Sequence, residues 1–287
     1  MTKTETSVAK SLQDARNRLA TTSESARADS EILLAHVLQK SRTWLFAHSE
    51  ALLSPETLAV FQHLVEARSR GFPVAYLTGT REFWSLPLRV NAATLIPRPE
   101  TELLVETTLQ RLCAVASARV LDLGTGSGAI ALALASVRRD FILHAADISE
   151  AALACARINA HALGLTEIHF HHSNWFSDLP RLRFDAIVSN PPYLAADDPH
   201  LSEGDVRFEP LQALVSGTTG LEAFEAIANT APLWLTPGGW LLLEHGCDQG
   251  ALVRDILQQA GFSAIETLCD LEARDRVSVG RWQTENL

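Results

Sequence analysis

The stretch VLDLGTGSG at residues 120–128 decides the fold. Its apolar beginning has the composition of a buried strand, and its three glycines allow a tight turn in which the backbone approaches a ligand with no Cβ in the way. An apolar helical pattern follows over residues 129–137. Ligands of open parallel sheets bind at the carboxyl ends of such strands, so this strand, turn and helix predict a binding site.

Strand and helix patterns alternate from about Leu95 to the end of the chain. Strands are predicted at residues 119–123, 141–146, 184–189, 240–244 and 276–282, and helices at 129–137, 150–163, 221–233 and 251–260. The strand segments are short and apolar almost throughout, as strands covered on both faces are. This alternation predicts an α/β fold with a doubly wound, mostly parallel sheet.

The first 75 residues follow a different pattern and predict a small helical domain. Apolar residues recur at helical spacing within residues 8–19 and 32–38, and Ser54 followed by Pro55 is a helix start signal. Residues 86–90 look extended. We therefore expect three parts: a helical domain at 1–75, a hairpin linker at 76–94 and the α/β domain at 95–287.

Composition and charge exclude several classes of protein. The chain has 287 residues, 47% of them hydrophobic, and its 24 Lys and Arg against 34 Asp and Glu give a net charge of −10. That balance is unfavourable for a protein that grips a phosphate backbone. No apolar run approaches the roughly 20 residues that cross a bilayer, and the polar N-terminus lacks a secretory apolar segment. The four cysteines match no zinc spacing. We expect a cytoplasmic protein with no metal and no membrane partner.

Two acidic residues bear on the cofactor. Asp147 follows Asp122 by 25 residues and ends the second predicted strand, where a carboxylate can accept both ribose hydroxyls. Gly124, Gly126 and Ala129 also satisfy the dinucleotide fingerprint, so a nicotinamide or flavin enzyme stays open. Asp122 favours S-adenosylmethionine, because the pattern acidic-x-Gly-x-Gly-x-Gly resembles motif I of the methyltransferases that use it. In that motif the acidic residue lies near the methionine ammonium group.

Asn190, Pro191, Pro192 and Tyr193 directly follow the strand predicted at residues 184–189. In that position they resemble motif IV of methyltransferases that modify a planar nitrogen, either a base amino group or a glutamine amide. An amide nitrogen is a poor nucleophile because its lone pair is delocalised. The Asn190 side-chain oxygen and the Pro191 carbonyl can each accept one N–H of the target, and Tyr193 can pack on it. Acceptors aimed at the nitrogen stabilise the positive charge that develops there, so no dedicated base is required.

Trp175 and three histidines complete the candidate residues. Trp175 follows Asp147 by 28 residues and is expected to form a wall of the adenine pocket, with an ordinary core tryptophan as the alternative. His171 and His172 have no third ligand at metal spacing and are expected on the surface. His245, at the end of a strand, is expected to be structural.

Further motifs give the whole chain a family resemblance. The sequences YLTG at 76–79, LIPRPETE at 95–102, NPPY at 190–193, FEP at 208–210 and LVSG at 214–217 are similar to the HemK/PrmC family. These are the N5-glutamine methyltransferases of peptide chain release factors. The resemblance runs over roughly residues 30–285, and it assigns no role to Glu209.

The resemblance implies a Rossmann-like S-adenosylmethionine-dependent methyltransferase fold with a seven-stranded, mostly parallel sheet, together with a small N-terminal helical domain that docks the substrate. It implies that the cofactor, which becomes S-adenosylhomocysteine, contacts Asp122, Gly124, Thr125, Gly126, Ser127, Gly128, Asp147, Trp175 and Asn190. Asn190 to Tyr193 would hold the substrate glutamine, with Asn190, Pro191 and Tyr193 catalytic. The loop at 97–100 would lie over the methionine end of the cofactor. The substrate would be the glutamine of the Gly-Gly-Gln motif in class-1 release factors.

Competing functions remain. An adenine-N6 methyltransferase of DNA or RNA uses the same motif IV chemistry, but it needs a basic recognition region. This chain has three lysines, and Arg68 and Arg70 are the nearest thing to a basic cluster, so no direct nucleic-acid binding is expected. A protein that binds S-adenosylmethionine without catalysis is disfavoured by the intact residues 190–193. The dinucleotide oxidoreductase is the third alternative.

Overall fold

The computed structural model describes residues 6–283, which form two compact units. The first contains the chain up to Thr80 together with Ser202–Phe208, and the second contains Arg81–Leu201 and the chain from Glu209 onward. The domain boundaries expected from the sequence did not assign residues 202–208 to the helical unit. Within the described residues, no helix combines the length and the apolar character needed to span a membrane.

The first unit is built from helices. Its elements are β1 (Thr6–Ser7), α1 (Val8–Leu19), α2 (Ala26–Leu38), α3 (Arg42–Ala47), β2 (Leu52–Leu53), α4 (Pro55–Ser69) and α5 (Val74–Thr78). The start signal read at Ser54 holds: its hydroxyl accepts the Thr57 N–H at 3.2 Å, and Pro55 is the first helical residue. Buried leucines of α1 and α2 pack with Phe61 of α4 to form a separate apolar core.

The segment at 202–208 joins this helical unit through a buried arginine. Arg68 of α4 is 9% exposed; its Nε donates to Asp29 of α2 at 2.6 Å, and its Nη1 donates to Asp205 at 2.6 Å. The rings of Phe72 and Phe208 pack 4.5 Å apart. A buried cation with two carboxylate partners is satisfied in place, so it fixes the segment on the helices.

The second unit alternates strands and helices, and its first strand begins at Thr80, the residue just before the boundary. Its elements are β3 (Thr80–Phe83), β4 (Leu86–Arg89), α6 (Glu102–Arg111), β5 (Arg119–Leu123), α7 (Ala129–Val137), β6 (Ile142–Asp147), α8 (Glu150–Ala162), β7 (His169–His172), β8 (Phe184–Ser189), α9 (Glu222–Thr230), β9 (Leu235–Glu244), α10 (Gly250–Gln259), β10 (Ser263–Cys269) and β11 (Asp275–Arg281). Strands β3 and β4 pair as a two-stranded hairpin.

Seven strands form one sheet in the order β10-β11-β9-β8-β5-β6-β7. The five strands from β9 to β7 run parallel, and β11 and β10 run antiparallel at one edge. The predicted seven-stranded, mostly parallel sheet is therefore confirmed. Strands β5, β6 and β7 follow one another toward one edge of the sheet, and β8 then pairs with the other side of β5. Ligands of such sheets bind at the carboxyl ends beside this switch point.

Helices cover both faces of the sheet, which explains the near-continuous apolar strands. Helices α6, α7 and α8 pack on one face, and α9 and α10 pack on the other. Helix α7 is buried from Ala129 to Ala135. The glycine-rich turn before it is thus held between a buried strand and a buried helix.

Candidate active site

A cavity of about 300 Å³ opens at the carboxyl ends of β5, β6 and β8. Its wall comes from segments within residues 93–101, 123–130, 146–152, 173–175, 190–192 and 210–213. Eight of the predicted site residues line it: Gly124, Thr125, Gly126, Ser127, Asp147, Trp175, Asn190 and Pro192. Four others, Asp122, Gly128, Pro191 and Tyr193, lie outside this lining.

The glycine-rich turn has the backbone that its sequence requires. Gly124, Gly126 and Gly128 have φ of +72°, +56° and +86°, in the left-handed region that favours glycine. At Gly128 a Cβ would lie 3.0 Å from Leu132 Cδ1 and 3.2 Å from the Ala156 Cβ. A Cβ on Gly126 would meet no atom within 4 Å. Gly128 therefore serves helix packing, whereas Gly126 leaves open space above the turn.

Asp122 lies beneath the turn and supports it. The residue is 1% exposed, and its Oδ2 accepts the Thr125 hydroxyl at 2.6 Å and the Ala131 N–H at 3.2 Å. Its buried Oδ1 has no hydrogen-bond partner. Burial raises the pKa of Asp122 to about 7, against the opposing effect of the Thr125 hydrogen bond. Asp122 is not among the residues that line the cavity, and its expected contact with the cofactor ammonium stays a prediction.

Asp147 ends β6, and its carboxylate accepts hydrogen bonds from two backbone N–H groups in the cavity wall. Its Oδ2 accepts the Gly126 N–H and its Oδ1 accepts the Ser149 N–H, each at 2.8 Å. Burial raises the pKa of Asp147, and these backbone hydrogen bonds oppose that rise. Ser149 also caps α8, where its hydroxyl accepts the Ala152 N–H, as its position in the sequence predicts.

Asn190 follows β8 directly and lines the cavity with a fixed side chain. Its Nδ2 donates to the Thr101 hydroxyl at 3.3 Å, whereas its buried Oδ1 has no partner. A buried acceptor without a partner is costly, which marks this oxygen as one that a ligand would satisfy. The sequence predicts this acceptor but does not reveal Thr101 as its support.

Pro192 lines the cavity, whereas Pro191 and Tyr193 on either side of it do not. Pro191 is buried and Tyr193 is half-buried. The Tyr193 carbonyl accepts the Gln249 side-chain amide at 2.9 Å, and a Cβ on Gly220 would come within 2.6 Å of the same oxygen. Burial raises the pKa of Tyr193 to about 12, so its phenol is neutral at physiological pH.

Trp175 lines the cavity next to the glycine-rich turn. Its ring carbon Cζ3 would lie 3.9 Å from a Cβ on Gly124. Its φ is +49°, an unusual value for a non-glycine residue, and the Ser173 hydroxyl donates to its carbonyl at 2.8 Å. This local hydrogen bond fixes the backbone that carries the indole, and both Trp175 and Asp147 line the cavity.

Glu209 holds two segments of the cavity wall together, a role that the FEP motif at 208–210 does not reveal. It is 5% exposed and forms an ion pair with Arg98, and its Oε2 accepts the Ile96 N–H at 3.0 Å. Pro97 and Arg98 line one wall of the cavity and Pro210 lines another. Glu209 therefore clamps the loop at 95–101 to the segment at 209–213.

The histidines predicted outside the site stay outside it. His172 is exposed, but His171 is half-buried, because its ring stacks on His144 and their nitrogens lie 2.9 Å apart. The expectation of a surface position is thus wrong for His171. His245 is fully buried, with its Nε2 2.9 Å from the Ser278 hydroxyl. Residues 6–283 contain no cluster of three His, Cys, Asp or Glu that could hold a metal ion.

Comparison with known proteins identifies both parts of the chain. Residues 10–79 match the family described as PrmC N-terminal domain, and residues 99–203 match the family described as Methyltransferase small domain. A curated protein of Xylella fastidiosa (strain Temecula1), named release factor glutamine methyltransferase, is 55% identical over 91% of this chain and 95% of its own length. One with the same name from Escherichia coli (strain K12) is 49% identical over 91% of this chain and 94% of its own.

Solved structures share the fold. A methyltransferase from Pyrococcus furiosus superposes with a TM-score of 0.53 at 16% identity, covering 69% of this chain and 89% of its own. At that identity the similarity supports a common methyltransferase fold and says nothing about substrate.

Proposed function

Because the chain belongs to the family of release factor glutamine methyltransferases, we propose that it methylates the side-chain nitrogen (N5) of glutamine in the Gly-Gly-Gln motif of class-1 peptide chain release factors. The methyl donor is S-adenosylmethionine. The observation that carries this proposal is the buried, unpartnered Oδ1 of Asn190 in the wall of the cavity. An amide N–H is the donor that this oxygen lacks.

The residues around the cavity fit S-adenosylmethionine. Asp147 offers carboxylate lone pairs to the ribose hydroxyls, and Trp175 offers a flat wall for adenine. The open space above Gly126 admits a ligand against the backbone, and Pro97 and Arg98 would enclose the methionine end. When bound, the cofactor supplies a sulfonium methyl group, and S-adenosylhomocysteine leaves. We assign no metal to this site.

Asn190 and Pro191 would orient the substrate amide. The Asn190 Oδ1 accepts one N–H of the glutamine, and the Pro191 carbonyl accepts the other. With both protons held, the nitrogen lone pair is directed along the axis of transfer. Positive charge develops on nitrogen as the new bond forms, so fixed acceptors stabilise the transition state more than the ground state. The neutral Tyr193 packs behind the amide, and the proton on the methylated nitrogen is lost to water.

Replacement of Asn190 tests this function. We expect Asn190→Ala to lower turnover on a release factor on the order of 10²-fold, the loss typical of one preorganised contact to the transition state. Affinity for S-adenosylhomocysteine, measured by calorimetry, should change far less. Asn229→Ala, at an exposed position on α9 outside the cavity, is the matched control. Near-normal single-turnover rates in Asn190→Ala, or methyl transfer to nucleic acid in place of the release factor, would contradict the proposal.

We also propose that the helical unit docks the release factor. The matched relatives are named for a protein substrate, and a small motif can be oriented by binding energy from contacts far from the reacting atoms. This unit exposes large apolar side chains, with Phe46 52% and Val60 53% exposed. Since release factors act in translation, the reaction would take place in the cytoplasm, with no nucleic acid or membrane as a partner.

A further inference from the structure

Two strand ends meet beside the cavity. In the parallel pairing of β8 with β9, Ser189 lies opposite Leu243. Asn190 and Glu244 are the next residues along each strand, so they occupy neighbouring positions at the carboxyl edge of the sheet. Thr101 ends the short 3-10 turn Pro99–Thr101 and lies against both.

The three side chains form a chain of hydrogen bonds. The Asn190 Nδ2 donates to the Thr101 oxygen at 3.3 Å, and the Thr101 hydroxyl lies close enough to the Glu244 carboxyl to lower its pKa. Thr101 is 4% exposed and Glu244 is 1% exposed, so water does not substitute easily for either group. The second carboxyl oxygen of Glu244, Oε2, is buried without a partner.

The direction of this chain follows from proton counting. A threonine hydroxyl has one proton and two lone pairs, whereas a carboxylate only accepts. An ionised Glu244 can therefore only accept a hydrogen bond from the Thr101 hydroxyl, which leaves the Thr101 oxygen as an acceptor. The group that faces this oxygen must then be the NH₂ of Asn190. Consequently the Asn190 Oδ1 is the atom left for a ligand.

We propose that Thr101 and Glu244 are positioning residues that fix the orientation of the Asn190 amide, so that its oxygen and not its NH₂ meets the substrate glutamine. This inference rests on the proposed function. Without the Thr101 hydroxyl, the amide can rotate by half a turn and present a donor to the N–H groups of the glutamine, which repels them.

The charge state of Glu244 gives this arrangement a pH dependence. Burial raises the pKa of Glu244 to about 7, opposed by the Thr101 hydrogen bond and by the charge of Arg276 on β11. Glu100 raises it and Arg98 lowers it, both from the turn before Thr101, while Tyr193 is neutral beside it. A protonated Glu244 can donate to the Thr101 oxygen, which frees the hydroxyl proton to bond the Asn190 Oδ1. Turnover should therefore rise as the pH increases through about 7.

Variants of Thr101 test the positioning role by rescue. We expect Thr101→Val to lower turnover about tenfold, the effect of one lost hydrogen bond, and Thr101→Ser to restore it. Thr108→Val on α6 is the matched control, because its hydroxyl is also buried but bonds the Leu104 carbonyl, outside the cavity. If Thr101→Val turns over as fast as Thr108→Val, or if Thr101→Ser is as slow as Thr101→Val, the positioning role is refuted.

The pH profile of Glu244→Gln is the second test and does not depend on Thr101 variants folding. The glutamine cannot ionise, so the rise in turnover through pH 7 should disappear. A rise that persists belongs to another group, such as Asp122, and would overturn the inference. Wild-type enzyme assayed on a release factor separates the two proposals: no methylated glutamine refutes the function itself, whereas normal wild-type methylation with unaffected variants refutes only the positioning role.

Discussion

Replacing Asp147 by alanine should weaken cofactor binding while leaving the fold in place. Each carboxylate oxygen already accepts one backbone N–H, from Gly126 and from Ser149. An ionised carboxylate oxygen has two lone-pair sites, so one remains free on each oxygen. Two free sites on one carboxylate match the two neighbouring hydroxyls of a ribose.

The size of the effect follows from these contacts. A hydrogen bond to a charged group contributes about 1.5–3 kcal/mol. Losing the contact to the second ribose hydroxyl adds little to the lost binding free energy, because in the alanine variant water can enter the vacated space and solvate both hydroxyls. We therefore expect a loss near the value of one charged bond, which corresponds to a dissociation constant on the order of 10- to 10²-fold higher.

Isothermal titration with S-adenosylhomocysteine measures this change. Asp185→Ala is the matched control: Asp185 also accepts a backbone N–H, from Arg119 at 2.8 Å, but it lies near the amino end of β8, away from the cavity. It should cost stability without changing affinity. An unchanged dissociation constant in Asp147→Ala would refute the assignment of Asp147 to the ribose.

Two further predictions concern buried charge and substrate docking. Burial raises the pKa of Asp122 from 3.8 to about 7, so its ionisation lowers the stability of the fold as the pH rises through that interval. Asp122→Asn should therefore raise the free energy of unfolding, measured in urea, at pH 8 but not at pH 3.5. Equal changes at both pH values would contradict this. Changing Phe46 and Val60 together to serine should slow methylation of an intact release factor but not of a Gly-Gly-Gln peptide. Leu233, which is 70% exposed on the other unit, gives the control, because Leu233→Ser should slow neither reaction. Equal slowing on both substrates would exclude docking by the surface around Phe46 and Val60.

The parts of the fold that the sequence predicts are those set by local pattern. Strands at 119–123 and 184–189 and the helix at 129–137 agree with the structure residue for residue. Buried parallel strands are apolar throughout and glycine turns have few alternatives, so these signals are strong. Strand β10, by contrast, was not predicted: its residues alternate between half-buried and exposed, and the weak apolar pattern of an edge strand resembles that of a loop.

The parts of the site that the sequence does not reveal depend on contacts between distant segments. Glu209 reaches Arg98 across 111 positions, and Thr101 reaches Asn190 across 89. No periodicity encodes such pairs. Asp122 shows the same limit, since residue type and spacing do not reveal that its carboxylate accepts the Thr125 hydroxyl inside the turn.

The arrangement of buried charge suits the proposed chemistry. Asp122 and Glu244 lie at or near the carboxyl ends of β5 and β9, on either side of β8 and Asn190, and each carries one buried oxygen without a partner. Both the sulfonium of the cofactor and the nitrogen in the transition state are positive, and acidic groups on both sides favour positive charge between them. The same acidic groups would repel the phosphates of a nucleic acid. The sign of the buried charge thus favours a neutral amide approaching a cationic methyl donor, and it agrees with the net charge of −10 of the whole chain.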